Sequence, residues 1–507
     1  MTHFRRSLTS ELQHTLAVEP GRSKLDEDNI PQIMVEVCAG LVTVDEESNI
    51  IRLVHYTTQE YFERTRNQWF PDAESDIAKT CITYLSFSAL ESGLCETDNE
   101  FEEILESNKL YDYAASNWGH HARLASISSN EVMDFLQCEA KVIASSQALM
   151  AVKRHSWQSN YSAQVPRRIT GRHLAAYFGI QEAVKAFLDE GLPDIKDSDG
   201  RTPLSWAAEK GHENVVELLL AKAGIDVNSA GKTGLAALSF AAENGHAEIV
   251  KMLLMIKSID VNQRDSYGRT PLLWAAIKGH ERVVGILLAA AGIKVNSKDE
   301  DGWTALSYAA ENGKEVVEML LAAAMKGHER VVELLLAAAD IEVNSKDEDG
   351  WTALLFAAVN GYKEVVKMLP AVDDIDANSM SSDEYDRGRT ALSFAAEKGR
   401  EEVVKILLAT DGVDINHKST GIYNSGRTAL SFVAGEGHEE IDSQDTTLHQ
   451  WHQCQLQVDR LLLQNGANII KSKHWDDWTP LWLDEPDAVT TPESFEYISE
   501  DPGSEAY

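Results

Sequence analysis

Apolar residues in this chain recur at spacings of three and four, break at a glycine, and resume at the same spacings. In the stretch Gly200–Leu220, Leu204, Ala207 and Ala208 fall on one helical face, Gly211 follows, and Val216, Leu219 and Leu220 repeat the pattern. Thr202 stands where a side-chain cap is needed, and Pro203 takes the first helical position, where no N–H is missed. Gly211 suits a left-handed helix stop. Asp226-Val-Asn228 and the turn residues after it lead into the next copy, so the predicted unit is helix, turn, helix, extended loop. The paired alanines are small enough to let a second helix approach closely.

The unit returns in phase. Leu204, Leu238, Leu272 and Leu306 are each 34 residues apart, and a fixed period of that length marks a stacked repeat architecture. The period breaks once, since Leu306 and Leu354 are 48 residues apart. Val295–Leu306 is identical to Val343–Leu354, which points to duplication followed by an in-frame loss. Glu315–Ala324 then reads both as the second helix of one copy and as the first helix of the next, so an extra helix or a local kink is expected at 313–328. Later copies carry insertions at Ser379–Arg387, Thr420–Ser425 and Asp442–Gln457. Val458–Leu463 resumes the interrupted copy, and Trp478–Leu483 starts a last one.

Gly200-Arg-Thr-Pro-Leu-Ser-Trp-Ala-Ala with Gly211-His212, and Gly268-Arg-Thr-Pro-Leu-Leu-Trp-Ala-Ala with Gly279-His280, resemble the ankyrin repeat. The resemblance implies a mostly α fold, an ankyrin-repeat α-solenoid of about eight or nine repeats over 166–483. The histidine usual after Pro-Leu is replaced by Ser205, Ser239, Leu273, Ser307, Leu355, Ser393 and Ser431, and only His173 keeps it. The serines are expected to replace its hydrogen bond in part.

Upstream, helices are predicted at Thr9–Val18 and Gln32–Cys38, followed by strands Leu41–Val44 and Ile50–Val54 around a polar turn. Glu11–Pro20, Val37–Asp45 and Leu53–Phe62 are similar to the winged-helix region of fungal NACHT–ankyrin proteins, which are STAND-type signalling ATPases. Tyr111-Asp-Tyr113 and Asn117–Arg123 likewise resemble their helical linker, with helices expected at Ile77–Ser88, Phe101–Glu106, Leu110–Arg123, Glu131–Gln137 and Lys141–Val152. The expected organisation is a winged-helix-like (α+β) unit at 1–66, a helical linker domain at 67–165, the repeats, and an acidic disordered tail at 484–507. The resemblance starts where a nucleotide-binding NACHT domain would end. The chain is therefore expected to be an interaction scaffold or, as the alternative, the sensor half of a receptor whose nucleotide-binding domain is absent from it.

Composition narrows these functions. The net charge of −35 opposes nucleic acid and anionic membranes and favours partners with basic surfaces. The would-be reading helix of the winged unit has no Lys or Arg, and residues 1–66 hold 11 acids against 7 bases, which argues against DNA binding. No apolar run is long enough for a membrane helix, and five scattered cysteines without Cys-x-x-Cys spacing fit a reducing, cytoplasmic setting.

Fragments that imitate catalytic motifs do not complete them. Gly231-Lys232-Thr233 lacks the upstream glycine of a phosphate loop, where Asp226 stands instead. His-Glu at 212–213, 280–281, 328–329 and 438–439 lacks the second histidine of a zinc-protease helix, and reads as a turn-closing Gly-His pair. Adjacent His120 and His121 point different ways on a helix, and His449-x-x-His452-x-Cys454 is read as a chance grouping. No cofactor, metal or catalysis is expected.

The repeats offer surface instead. By the ankyrin resemblance, partners are held on a concave face made of loop tips and first-helix ends. Those positions are Ser198, Asp199, Arg201, Glu209 and Lys210; Glu243 and Asn244; Ser266, Tyr267, Arg269, Ile277 and Lys278; Glu300, Asp301 and Trp303; Glu348, Asp349 and Trp351; Glu397 and Lys398. They vary between copies over a constant interior, and Tyr267, Trp303 and Trp351 are of the kind that anchors interfaces. A second row, Trp206, Phe240, Trp274, Tyr308, Phe356, Phe394 and Phe432, is expected to stack between repeats, with a binding stripe as the other reading.

Overall fold

The structure, a computed structural model, describes residues 42–45, 50–53, 72–87, 90, 94–125, 130–151, 159–191, 195–311, 325–372, 374–422, 424–436 and 457–467. The helices expected at Thr9–Val18 and Gln32–Cys38, the cluster at His449–Cys454, the repeat start at Trp478 and the acidic tail lie outside them. The chain divides into two compact units, Met1–Asp260 and Val261–Tyr507.

In the first unit, β1 (Val42–Asp45) and β2 (Ile50–Leu53) pair antiparallel, Val42 opposite Leu53 and Asp45 opposite Ile50, within one residue of the two apolar strands expected around the polar turn. Five helices follow, α1 (Ala73–Leu85), α2 (Asp98–Ser107), α3 (Tyr111–Leu124), α4 (Asn130–Gln137) and α5 (Glu139–Met150), each within a turn of its expected place at most boundaries. Three helix pairs come next: α6 (Gly171–Phe178) with α7 (Gln181–Asp189), α8 (Pro203–Lys210) with α9 (Glu213–Leu220), and α10 (Ala237–Glu243) with α11 (Ala247–Leu254). Trp118 of α3 is fully buried, its ring edge-on to Phe135 of α4 and Phe178 of α6, each 5.0 Å between centroids. A side chain at Gly119 would collide with the Phe178 ring, so this glycine is what lets α3 approach α6. Helices α3 and α4 thereby share a core with α6. Within them His121 donates from Nδ1 to Glu74 Oε2 at 2.5 Å and His120 lies edge-on to Phe178, so both histidines serve packing.

The second unit holds α12 (Pro271–Ile277) with α13 (Glu281–Leu288), α14 (Ala305–Glu311) with α15 (Met325–Leu336), α16 (Ala353–Asn360) with α17 (Lys363–Met368), α18 (Ala391–Glu397) with α19 (Glu401–Leu408), and α20 (Ala429–Glu436) with a helix over 457–464. In each unit first helices pack on first helices and second on second, with the aligned leucines and alanines buried between copies. The caps are as the sequence predicts: Thr202 Oγ1 accepts from the Ser205 N–H, Pro203 is the first helical residue, and Gly211 has φ of 76°. The Ser205 hydroxyl accepts from the Thr202 N–H, as Ser393 does from Thr390 and Ser431 from Thr428, so at these copies serine replaces part of the missing histidine's bonding. Where His173 is retained, its Nδ1 meets Thr170 and its Nε2 meets the Ile195 carbonyl.

The long 48-residue copy resolves asymmetrically. Leu306 to Val331 is 25 residues where Leu204 to Val215 and Leu272 to Val283 are 11, while Leu335 to Leu354 keeps the 19 of Leu219 to Leu238. All the extra length thus falls between the first helix α14 and the second-helix position, which is held by α15 with Val331, Val332 and Leu335 fully buried. The sequence let Glu315–Ala324 read as that second helix or as the first helix of the next copy, with an extra helix or a local kink expected at 313–328; residues 312–324 lie outside the described residues, and 325–328 are the start of α15. α15 has 12 residues against 8 in α13, and Gly327-His328 falls inside the helix instead of in a turn.

Elsewhere the Gly-His pair ties copies together. His212 Nε2 donates to the Tyr177 carbonyl at 2.8 Å and His246 Nε2 to the Glu209 carbonyl at 2.9 Å, so each satisfies the exposed carbonyl end of the preceding first helix. Burial pulls His212 down to about 4, against the raising effect of its bond to Tyr177. The folded pKa lies below the unfolded value of 6.5, so the fold prefers the neutral ring; the contribution is intact above pH 6.5 and is lost as pH falls towards 4. Allowing for partial solvent screening, we expect the first unit of the wild type to lose about 1–2 kcal/mol more than His212→Gln between pH 7 and pH 4.5 in urea titrations. Equal losses would refute it.

Candidate functional site

Between each pair of copies the chain makes a tight finger. In the first, Asp197 accepts from the Asp199 and Arg201 N–H groups, both at 2.9 Å, while its own N–H bonds the Arg201 carbonyl at 2.9 Å. Asp265, Asp299 and Asp347 do the same in their fingers. Successive fingers are hydrogen-bonded into a ladder by Lys232 N–H to Asp199, Glu300 N–H to Tyr267, Glu348 N–H to Asp301, Ser382 N–H to Asp349 and Thr420 N–H to Arg387. Gly302 shows how close this ladder is: at φ of 84°, a Cβ there would lie 3.0 Å from the Asp347 Cα.

The ladder sorts the sequence-derived positions into two groups. Lys210, Asn244, Ser266, Tyr267, Lys278, Glu300, Asp301, Glu348, Asp349 and Lys398 are exposed, Tyr267 by 59%. Ser198, Asp199, Arg201, Glu209, Glu243, Arg269, Ile277, Trp303, Trp351 and Glu397 are half-buried. Several of the second group form a seam between copies. The Arg201 guanidinium lies 3.3 Å from the Trp206 ring centroid and 4.2 Å from Phe240 of the next copy, and pairs with Glu209. Trp303 stacks on Tyr308 of its own copy at 4.9 Å and Phe356 of the next at 4.2 Å, and Trp351 does so on Phe356 at 5.0 Å and Phe394 at 4.6 Å. Arg269 is within 5.1 Å of Trp274 and 5.6 Å of Tyr308. The aromatic row is therefore inter-repeat packing, filled alternately by rings and by the flat cations or indoles of the fingers.

Charges follow the same register. Asp197 and Asp265 accept from the indole N–H of Trp206 and Trp274 at 3.2 and 3.0 Å, and Asp299 accepts from the Tyr308 hydroxyl. Burial, together with that bond, pushes the Tyr308 hydroxyl well above its ordinary range. Where the ring is Phe394 or Phe432 the finger carries Ser381 or Ser419 instead. Asp347 opposite Phe356 is the mismatch: burial raises its carboxyl above the usual range, its bonds from Trp351 and Asp349 N–H only partly offsetting this. Burial also pushes Glu209 up, but Arg201 and Lys210 outweigh it and hold that carboxyl low.

Two features escaped the sequence reading. One is an asparagine ladder: Asn262 Nδ2 donates to the Gly292 carbonyl while its Oδ1 accepts from Lys294 N–H, and Asn228, Asn296, Asn344 and Asn378 make the same pair of bonds to the backbone of the next copy. Its signal was an Asn near the end of each extended loop, which reads as an ordinary turn residue. The other is that the insertions expected at Ser379–Arg387 and Thr420–Ser425 meet as neighbouring long fingers, where Tyr385 and Ile422 are both 60% exposed and Ile422 N–H bonds the Glu384 carbonyl at 3.3 Å.

Lys232, the lysine of the false phosphate loop, pairs with Asp199 at 3.2 Å in an inter-finger contact. Among the described residues no three His, Cys, Asp or Glu side chains group as a metal site would require, and no helix is long and apolar enough to cross a membrane.

Comparison with known families gives a match to the model described as ankyrin repeats (3 copies) over residues 135–231, 238–323, 320–419 and 375–441. The match begins inside α4, upstream of the array start that the sequence period suggested. Among curated proteins the chain is similar to acyl-CoA-binding domain-containing protein 1 of Arabidopsis thaliana, 41% identical over 56 residues, or 11% of this chain and 17% of that protein. The chain thus spans under a fifth of that relative's length.

Proposed function

The chain belongs to the ankyrin-repeat family, and from that premise we propose a non-enzymatic protein-interaction scaffold that holds its partner on the concave face of an α-solenoid, through finger tips and first-helix ends. The observation that carries this reading is the division of the finger residues: Arg201, Trp303 and Trp351 lock successive copies together, leaving Tyr267, Glu300, Asp301, Glu348 and Asp349 exposed beside them on a rigid ladder. Rigid elements presenting varied exposed side chains lose little entropy on binding. The exposed acids, in a chain of net charge −35, favour a partner with a basic surface. The hairpin β1–β2 supports a winged-helix unit upstream, in which case the same surface would serve as the sensor part of a STAND-type signalling ATPase.

A photoreactive residue placed in the full chain at Asp301 or Asp349 is expected to capture a protein that one at Glu333, on the second helix α15, does not. Charge reversal at Glu300, Asp301, Glu348 and Asp349 together is expected to cut that capture about tenfold. Equal capture from Glu333, or undiminished capture by the reversed variant, would remove the finger tips as the working surface.

A further inference from the structure

We propose that the two long fingers form an apolar anchor site at the end of the acidic finger row, and that the partner segment held there is extended, basic over about six residues and then large and apolar. This site belongs to the surface of the scaffold reading and rests on that reading, adding the chemistry of the partner. Ser381 to Arg389 and Ser419 to Arg427 each span eight residues, where Asp197 to Arg201 and Asp299 to Trp303 span four. The base of each long finger is closed as in the short ones, by Ser381 N–H to the Arg389 carbonyl at 3.1 Å and Ser419 N–H to the Arg427 carbonyl at 2.9 Å. Both insertions therefore lengthen their fingers by the same amount in successive copies.

The pair is held as one platform. Thr420 N–H bonds the Arg387 carbonyl at 2.7 Å and Ile422 N–H the Glu384 carbonyl at 3.3 Å, and a Cβ on Gly421 would collide with the Tyr385 carbonyl. Asp383 Oδ1 fixes the first tip by accepting from the N–H groups of Tyr385 and Asp386, each at 2.9 Å. Asp386 is in turn bonded by Arg389 at 2.8 Å, which ties the tip to the seam between copies. Leu124, Met255 and Tyr267 are exposed as fully as Tyr385 and Ile422, but they come from separate parts of the chain, and scattered apolar exposure is ordinary for a surface. Two large apolar side chains on backbones that bond one another are different, since one side chain of a partner can cover both.

Charge decides what approaches. Glu300 and Asp301, then Glu348 and Asp349, are exposed on the two preceding tips, and Ser382 N–H bonds the Asp349 carbonyl at 2.7 Å, so the acidic row runs into the first long finger. There Asp383 and Glu384 outnumber the exposed Arg387, while Asp386 is neutralised by Arg389. The second long finger holds no charged residue from Thr420 to Gly426, so the row ends uncharged and apolar. Packed helices lie about 10 Å apart, so the tips at 300 and 384, two copies apart, are separated by about 20 Å, which about six residues of extended chain would cover. A segment rich in lysine or arginine over that length, followed by a leucine or an aromatic residue, complements both halves.

The probes are labelled peptides of alternating lysine and serine with phenylalanine at one end or the other, and their counterparts with serine in place of phenylalanine, titrated into the full chain by fluorescence anisotropy. In one of the two directions the phenylalanine peptide is expected to bind about tenfold tighter than its serine counterpart, as partial burial of the ring predicts. Tyr385→Ser with Ile422→Ser is expected to abolish that preference while leaving the serine peptide's affinity and the urea midpoint of the second unit unchanged. Equal affinities in the wild type, a preference that survives the double substitution, or no binding of either peptide would overturn the proposal. So would a dimer of the chain alone, seen by light scattering, that the double substitution dissolves, since the tips would then serve a second copy. Charge reversal at Glu300, Asp301, Glu348 and Asp349 is expected to weaken both peptides alike. If it weakens neither, the scaffold reading falls together with the anchor; equal affinities that remain sensitive to reversal remove the anchor only.

Discussion

Arg389→Ala is expected to destabilise the second unit by about 2–3 kcal/mol, because it removes a buried guanidinium that bonds two half-buried carboxylates and packs between two rings. The Arg389 side chain is 4% exposed; its Nη2 bonds Glu397 Oε2 at 2.7 Å and its Nη1 bonds Asp386 Oδ1 at 2.8 Å. The Arg389 Cζ lies 4.0 Å from the Phe394 centroid and 4.1 Å from that of Phe432 in the next copy. A single side chain therefore neutralises two acids and spaces two rings. Lysine keeps the charge but has neither the fork nor the flat face, so Arg389→Lys should recover less than half of the loss. Neutralising the acid as well, with Arg389→Met and Glu397→Gln together, should cost less than Arg389→Ala alone, since only the exposed Lys398, 3.6 Å away, would otherwise offset its charge. Urea unfolding of the four proteins checks the order, and an Arg389→Ala midpoint equal to wild type would mean that water reaches the pair.

The parts of the fold that were legible in the sequence depend on one copy alone. Thr202, Pro203 and Gly211 act within their own turn, and the caps form as their chemistry requires. The apolar spacing of α1, α3 and α4 likewise reports burial of one helix's own face. What could not be read is contact between copies. Arg201 and Trp303, seen in a polar turn, have the composition of interface anchors; only the ring of the following copy shows them sandwiched. A register was nonetheless present in the sequence, since Glu209 and Glu397 each stand eight residues after the arginine they neutralise. The long copy was ambiguous for a physical reason, in that two segments with the same burial pattern cannot be ranked by burial pattern. Of the surface positions expected from the sequence, Arg201, Glu209, Arg269, Trp303, Trp351 and Glu397 are taken up by the seam.

Trp303 separates packing from recognition. Trp303→Ala is expected to cost the second unit about 2–3 kcal/mol, somewhat below a fully buried tryptophan because the indole is half-exposed. Trp303→Arg should remain within about 1 kcal/mol of wild type, since arginine occupies the same register between rings at 201 and 389. Glu311 stands eight residues on, in the register of Glu209 and Glu397, where the new guanidinium would meet a carboxylate. If Trp303 instead anchors a partner, the two substitutions should behave alike in the opposite assay: both would weaken capture from Asp301, and neither would move the urea midpoint. A stability loss confined to alanine assigns the residue to the seam, and with it Trp351, which stacks in the same way on Phe356 and Phe394. Recognition would then rest on Tyr267 and the acidic tips, whose side chains the ladder leaves uncovered.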